Sequence, residues 1–147
     1  MFFEWDDAYN TGVDVIDHQH RRIVEYINTL YNAIARKDEA SVADVMEQLT
    51  EYTIGHFAFE ESLMEQCGYD QISTHKIGHD RFTRKIRKYQ QDLDAGENIA
   101  DKLLEELKSW LVEHIQKEDF AYVGVVPRKP EKGMISKAFS RLMHPLS

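Results

Sequence analysis

Residues 49–64 read LTEYTIGHFAFEESLM. Leu49, Tyr52, His56 and Glu60 follow one another at spacings of three and four, the period of one helix face. Val42 and Val45 extend that face upstream, which predicts a helix from about Ser41 to Cys67, and Gly68 is a natural stop. The stripe is apolar at its start and ends in an imidazole and a carboxylate. A helix that carries such groups on its buried face must supply them with partners.

Three further stripes surround it. Ile23, Ile27, Leu30 and Ile34 predict a first helix from about Asp17 to Arg36. Ile72, Phe82, Ile86, Tyr89 and Leu93 predict a third, from near Asp70 to just before Gly96. Leu103, Leu107, Trp110 and Leu111 predict a fourth, opened by Asn98 as N-cap with Asp101 three residues on, and ending near Gly124. Residues 1–16 read as an N-terminal arm anchored by Trp5, Tyr9 and Val13. Short connections make neighbouring helices antiparallel. The expected fold is all-α, an up-down-up-down four-helix bundle over residues 1–123. Residues 124–147 follow as a basic linker and a short amphipathic tail.

The inward faces carry more than apolar groups. His20 lies three residues before Ile23, and His75 and His79 continue the stripe of Ile72 and Phe82. His114 follows Leu107 and Trp110. With His56, five of the seven histidines face one core, and each of the four helices supplies at least one. Any one alone reads as a core histidine satisfied by a hydrogen bond. Five with Glu60 exceed what an apolar bundle can satisfy, since each unpartnered buried polar group costs roughly 1–3 kcal/mol. A metal resolves the cost, because neutral imidazoles and carboxylates are its ligands. On an α-helix, residues four apart stand about 40° apart around the axis, so His56/Glu60 and His75/His79 can each grip one site. Asp119, five after His114, would swing by about 140° and lies off the stripe. His18 lies about 200° from His20 and reads as surface, as does His144.

Composition narrows the function. The net charge of −8 argues against nucleic acid as a partner. No apolar run approaches the ~20 residues of a membrane helix, and MFFEWDDAYN has no signal-peptide pattern. The single cysteine, Cys67, cannot form an intrachain disulfide. Together these predict a cytoplasmic protein.

Four segments then resemble the hemerythrin family. GVDVIDHQH is similar to its Gly, Asp, Gln-His pattern, HFAFEESLM to HFxxEExxM, HKIGHDRF to HxxxH, and WLVEHIQKED to WLxxHIxxxD. They occur in the family's order over about residues 5–122. The resemblance implies two non-haem iron ions with a bridging oxo or hydroxo group. His75, His79 and His114 would hold one iron and His20 and His56 the other, with Glu60 and Asp119 as bridging carboxylates. Only this resemblance brings Asp119 into the set. It further implies reversible dioxygen binding at the iron with fewer ligands, without enzymatic turnover. Ile23, Trp110, Leu111 and Ile115 lie one turn or less from the ligands and resemble the family's oxygen pocket. His18 departs from the family, which often has an acidic residue there.

Two other classes of function compete. A di-iron oxidase or peroxidase-like enzyme would use an ExxH repeat on two helices, which this chain lacks. An oxygen- or redox-sensing module would act through a partner. The tail bears on that reading: Met134, Ala138 and Leu142, with Ile135, Phe139 and Met143, form a helical stripe with Lys137 and Arg141 on the other face. So short a helix needs a surface, through residues 134–143: its own acidic bundle, a protein partner or an anionic membrane.

Overall fold

A computed structural model describes residues 1–119, 124–127 and 129–144, without the side chains of Glu118 and Asp119. The described residues form helices and no strands: α1, Asp14–Ala35; α2, Glu39–Cys67; α3, Ile72–Asp94; α4, Ala100–Glu113; and α5, Lys132–Met143. The first four make the antiparallel bundle. Its interior is lined by Ile23, Ile27, Leu30, Leu49, Phe57, Ile86, Leu103, Leu107 and Leu111. No helix among the described residues is long and apolar enough to cross a membrane.

The arm is pinned before the bundle begins. The Phe3 N–H donates to Asn28 Oδ1 and the Asn28 amide donates to the Phe3 carbonyl, both at 2.8 Å. Asp17, in the first turn of α1, accepts from the Thr11 N–H and hydroxyl at 2.7 Å and from the Gly12 N–H at 3.1 Å. Gly12 makes that wrap possible with φ of +93°, a conformation open to glycine at little cost. Asp17 thus fixes how α1 enters the core, three residues before His20.

Chain punctuation sets the other ends. Asp38 caps α2 by accepting from the Ser41 N–H at 3.2 Å. Gly68 closes it at φ +69°, where the Tyr69 N–H returns to the Met64 carbonyl at 3.0 Å. The expected cap at Asn98 does not form. Ile99 occupies the N-cap, its carbonyl accepts from the Leu103 N–H at 2.8 Å, and no side chain caps the end. Asn98 therefore stands one residue outside the position from which a side chain reaches the first free N–H groups.

The fourth helix differs from the sequence expectation at its far end as well. It stops being an α-helix at Glu113 and passes into a π-turn, His114–Asp119. The wider turn carries both His114 and Ile115, consecutive residues, into the interior.

The tail helix lies against α2. Ala138 is fully buried, Phe139 packs edge-on against Phe59, and Gln66 donates to the Met134 carbonyl at 3.1 Å. Gly55 allows the closest approach: a Cβ there would fall 2.8 Å from the Leu142 carbonyl oxygen.

Candidate metal centre

The helix phases converge on Glu60, whose side chain is fully buried. His56, one turn earlier on α2, places Nε2 2.9 Å from Glu60 Oε1. His114, from the π-turn, places its Nε2 3.1 Å from the same oxygen, and His79, from α3, reaches 3.6 Å. His20, from α1, sets its ring 4.8 Å from that of His56 and 5.8 Å from that of His114. One donor atom from each of His20, His56, Glu60 and His114 lies within 4.8 Å of the others.

His75 stands at the edge of this group. Its ring is 6.3 Å from that of His79, and its Nε2 is 3.4 Å from the Tyr69 hydroxyl. Burial, with Asp70 nearby, pushes the Tyr69 phenol above its ordinary range. The tightest group therefore joins His114 to His20 and His56, whereas the family resemblance joins it to His75 and His79. The Asp119 side chain lies outside the described residues. Its backbone register does not: in an i→i+5 turn, position 119 comes nearly over position 114, which removes the off-face swing that an α-helical period imposes.

Electrostatics fit a cation. Burial lowers the pKa of His20 well below its ordinary value and lowers that of His56, which favours the neutral imidazole, the form that ligates. Burial alone would raise Glu60, but His56 and His114 beside it outweigh that and hold it well below the usual carboxylate range. His79 Nε2 is buried with no hydrogen bond among the described residues. A buried carboxylate ringed by imidazole nitrogens suits iron or zinc better than a hard oxygen-seeking ion.

Two residues outside this ring orient it, and helical periodicity does not point to either. His56 donates from Nδ1 to Gln19 Oε1 at 2.7 Å, and His79 donates from Nδ1 to Glu61 Oε2 at 2.9 Å. Each bond fixes the tautomer and turns Nε2 inward. Ring packing completes the frame. Phe57 stacks on His79 at 4.0 Å, while Trp110 stacks on His114 at 4.9 Å and on Phe82 at 3.7 Å. Beside the cluster, Ile23, Leu111 and Ile115 are buried and Trp110 is half-buried, an apolar wall one turn or less from His20 and His114. His18 and His144 are exposed.

Comparison with known proteins agrees with the geometry. The family model described as the hemerythrin HHE cation binding domain matches residues 11–126. Bacteriohemerythrin of Pseudomonas paraeruginosa strain PA7 is 43% identical over 145 residues, covering 93% of this chain and 95% of its own. That of Stenotrophomonas maltophilia strain R551-3 is 43% identical over 122 residues, covering 83% and 80%. A crystal structure of wild-type hemerythrin superposes with a TM-score of 0.79 at 28% identity, covering 84% of this chain and 96% of that one. With the four-helix frame and the buried histidine–glutamate cluster already in place, these matches make the chain a member of the hemerythrin family.

Proposed function

We propose that the chain binds dioxygen reversibly at a carboxylate-bridged pair of non-haem irons, as a cytoplasmic oxygen carrier or store rather than an enzyme. The observation that carries this reading is the convergence of His56, His79 and His114 on Glu60, with His20 from α1 completing the buried group, beside an apolar wall. His75, His79 and His114 would hold one iron and His20 and His56 the other, with Glu60 and Asp119 as bridging carboxylates. The unequal donor count, three imidazoles against two, leaves room for a small ligand at the His20/His56 end. The bound iron pair, with an oxo or hydroxo bridge, would supply the electrons that dioxygen takes up and returns.

The chain's own residues do the rest. Gln19 and Glu61 hold His56 and His79 in the ligating tautomer. Ile23, Leu111 and Ile115, with the half-buried Trp110, exclude water and acids from the ligand position, so that dioxygen leaves as it came. Metal analysis and optical spectra of the reduced protein, before and after air, test the proposal. Two irons per chain and a reversible spectral change are expected; one zinc, or no metal with an unchanged fold, would overturn it.

A further inference from the structure

An oxygen carrier whose irons become ferric stops working until electrons are returned to it, and one face of this molecule, along α3, is basic above the candidate metal centre. Between residues 76 and 88, α3 carries Lys76, Arg81, Arg84, Lys85, Arg87 and Lys88 against Asp80 alone, a net +5 on a chain of net −8. All but Lys76 are exposed. Lys76, Lys85 and Lys88 pair with Glu65, Glu106 and Asp92. Arg81, Arg84 and Arg87 are exposed, and among the described residues their side chains make no hydrogen bond or ion pair. The strip is about 18 Å long at 1.5 Å per residue, the scale of the small patches used by transient redox encounters.

Beneath the strip the cluster comes close to the surface on both sides of α3. On one side a depression of about 300 Å³, rimmed by Arg81, Lys85 and the ion pair of Lys117 with Glu113, reaches Trp110 and His114. There the indole is stacked between Phe82 and the His114 ring, so contacting aromatic groups run from solvent to a candidate ligand. On the other side a smaller hollow of about 180 Å³, beside Arg87, reaches His79 and its partner Glu61.

We propose that this basic face of α3 docks a small acidic one-electron carrier protein, which returns electrons to the metal pair through Trp110 and His114. The inference rests on the di-iron reading above. Each encounter oxidises the carrier by one electron and reduces the ferric pair by one. Two encounters restore the ferrous pair, with the compensating proton taken from water. A nucleic acid would meet the same cations, but the Trp110 ring is already stacked on Phe82 and His114 rather than open to a base, and the rest of this acidic chain would repel it.

The test uses the metal-loaded ferric protein under anaerobic conditions, with a reduced acidic [2Fe–2S] ferredoxin as donor. Its second-order rate should fall about tenfold or more from low to high salt, as steered association does. The double variant Arg81→Glu/Lys85→Glu, and Arg84→Glu as an independent second, should be about tenfold slower at low salt and converge with wild type at high salt. With the methyl viologen radical cation as donor, the same variants should react as fast as wild type or faster. Independently of the redox step, oxidised ferredoxin should shift the amides of α3 and the Trp110 indole N–H in wild type and not in the variants. Equal rates in all proteins, no salt dependence, or tighter binding to RNA or to phosphatidylglycerol vesicles would overturn the inference. Failure to bind iron or dioxygen would instead sink the di-iron reading, so the two failures are distinguishable.

Discussion

Glu61 Oε2 lies 2.9 Å from His79 Nδ1, while the preceding residue, Glu60, turns its own carboxylate to the opposite nitrogens of His56 and His114. Two successive acids on α2 thus serve the cluster from outside and from within. Glu61→Ala should lower metal affinity by roughly 10–100-fold, the usual cost of losing such a partner. Glu61→Gln, which can still accept the hydrogen bond, should lose less. Gln19→Ala should weaken the His56 end by a similar factor. Competition with a chelator, read by metal retained, measures all three; retention equal to wild type would deny these residues a positioning role.

Removing the groups that face inward should do more. His56→Ala is expected to lose the metal pair or its dioxygen response, and Glu60→Ala to be at least as damaging, because three imidazoles lie around that one carboxylate. His18→Ala and His144→Ala, both at exposed positions, should keep full metal content and an unchanged spectrum. Normal oxygenation of either His56→Ala or Glu60→Ala would show the ligand set to be wrong.

The apolar wall can be breached without touching a ligand. Leu111→Asp or Ile115→Asp places a carboxyl group at a fully buried site and brings water with it. The oxygenated form should then decay faster, followed as the loss of its absorbance in air. Trp110→Ala removes the ring stacked between Phe82 and His114, and should also lower stability by about 3 kcal/mol. Unchanged decay in both Asp variants would place the barrier elsewhere.

Acid should weaken the metal-free chain from a particular side. His20 and His56 have lowered pKa values in the folded state, chiefly through burial. Below their unfolded pKa of about 6.5, the unfolded chain takes up protons that the fold refuses, so stability falls as pH drops. The limiting slope is about 1.4 kcal/mol per pH unit for each histidine. The contribution of Glu60, depressed by its imidazole neighbours, is present above the carboxylate range and lost only as pH falls through its lower folded pKa. Urea titrations between pH 8 and 5 check this; a midpoint that does not move would contradict the burial of neutral histidines.

Gly55 offers a test with opposing signs. Alanine there is a better helix former by about 1 kcal/mol, which favours α2. Yet its Cβ would meet the Leu142 carbonyl at 2.8 Å, which pushes α5 away. Hydrogen exchange should therefore speed up in α5 of Gly55→Ala while α2 stays protected. Equal protection of α5 in both proteins would mean that the tail yields without leaving.

What the sequence discloses of this fold follows the strength of its periods. The stripes through Ile23, Leu49, Phe82 and Leu107 repeat for several turns, and each becomes a helix with those residues buried. The same phases carry His20, His56, Glu60 and His114 into one cluster. Periodicity has nothing to say of Gln19 and Glu61, because each sits beside a stripe and acts across helices. Both fall inside the quoted motifs, Gln-His and EE, where the residue type was the available signal. The Asn98 cap failed because cap position depends on the geometry of the preceding turn, which one residue of slippage changes. Asp119 was off-phase only under an α-helical period, and the chain does not keep that period past Glu113.

The π-turn is one residue more than a regular helix needs for the same advance. A bundle idealised from heptads, with straight helices and the same histidines grafted onto it, would carry position 119 around to the wrong side. Anyone transplanting this centre into a new scaffold must transplant the irregularity too. Conversely, deleting a single residue between His114 and Asp119 would set the pair four apart, about 40° around a regular helix, and so remove the irregularity while keeping both on one face.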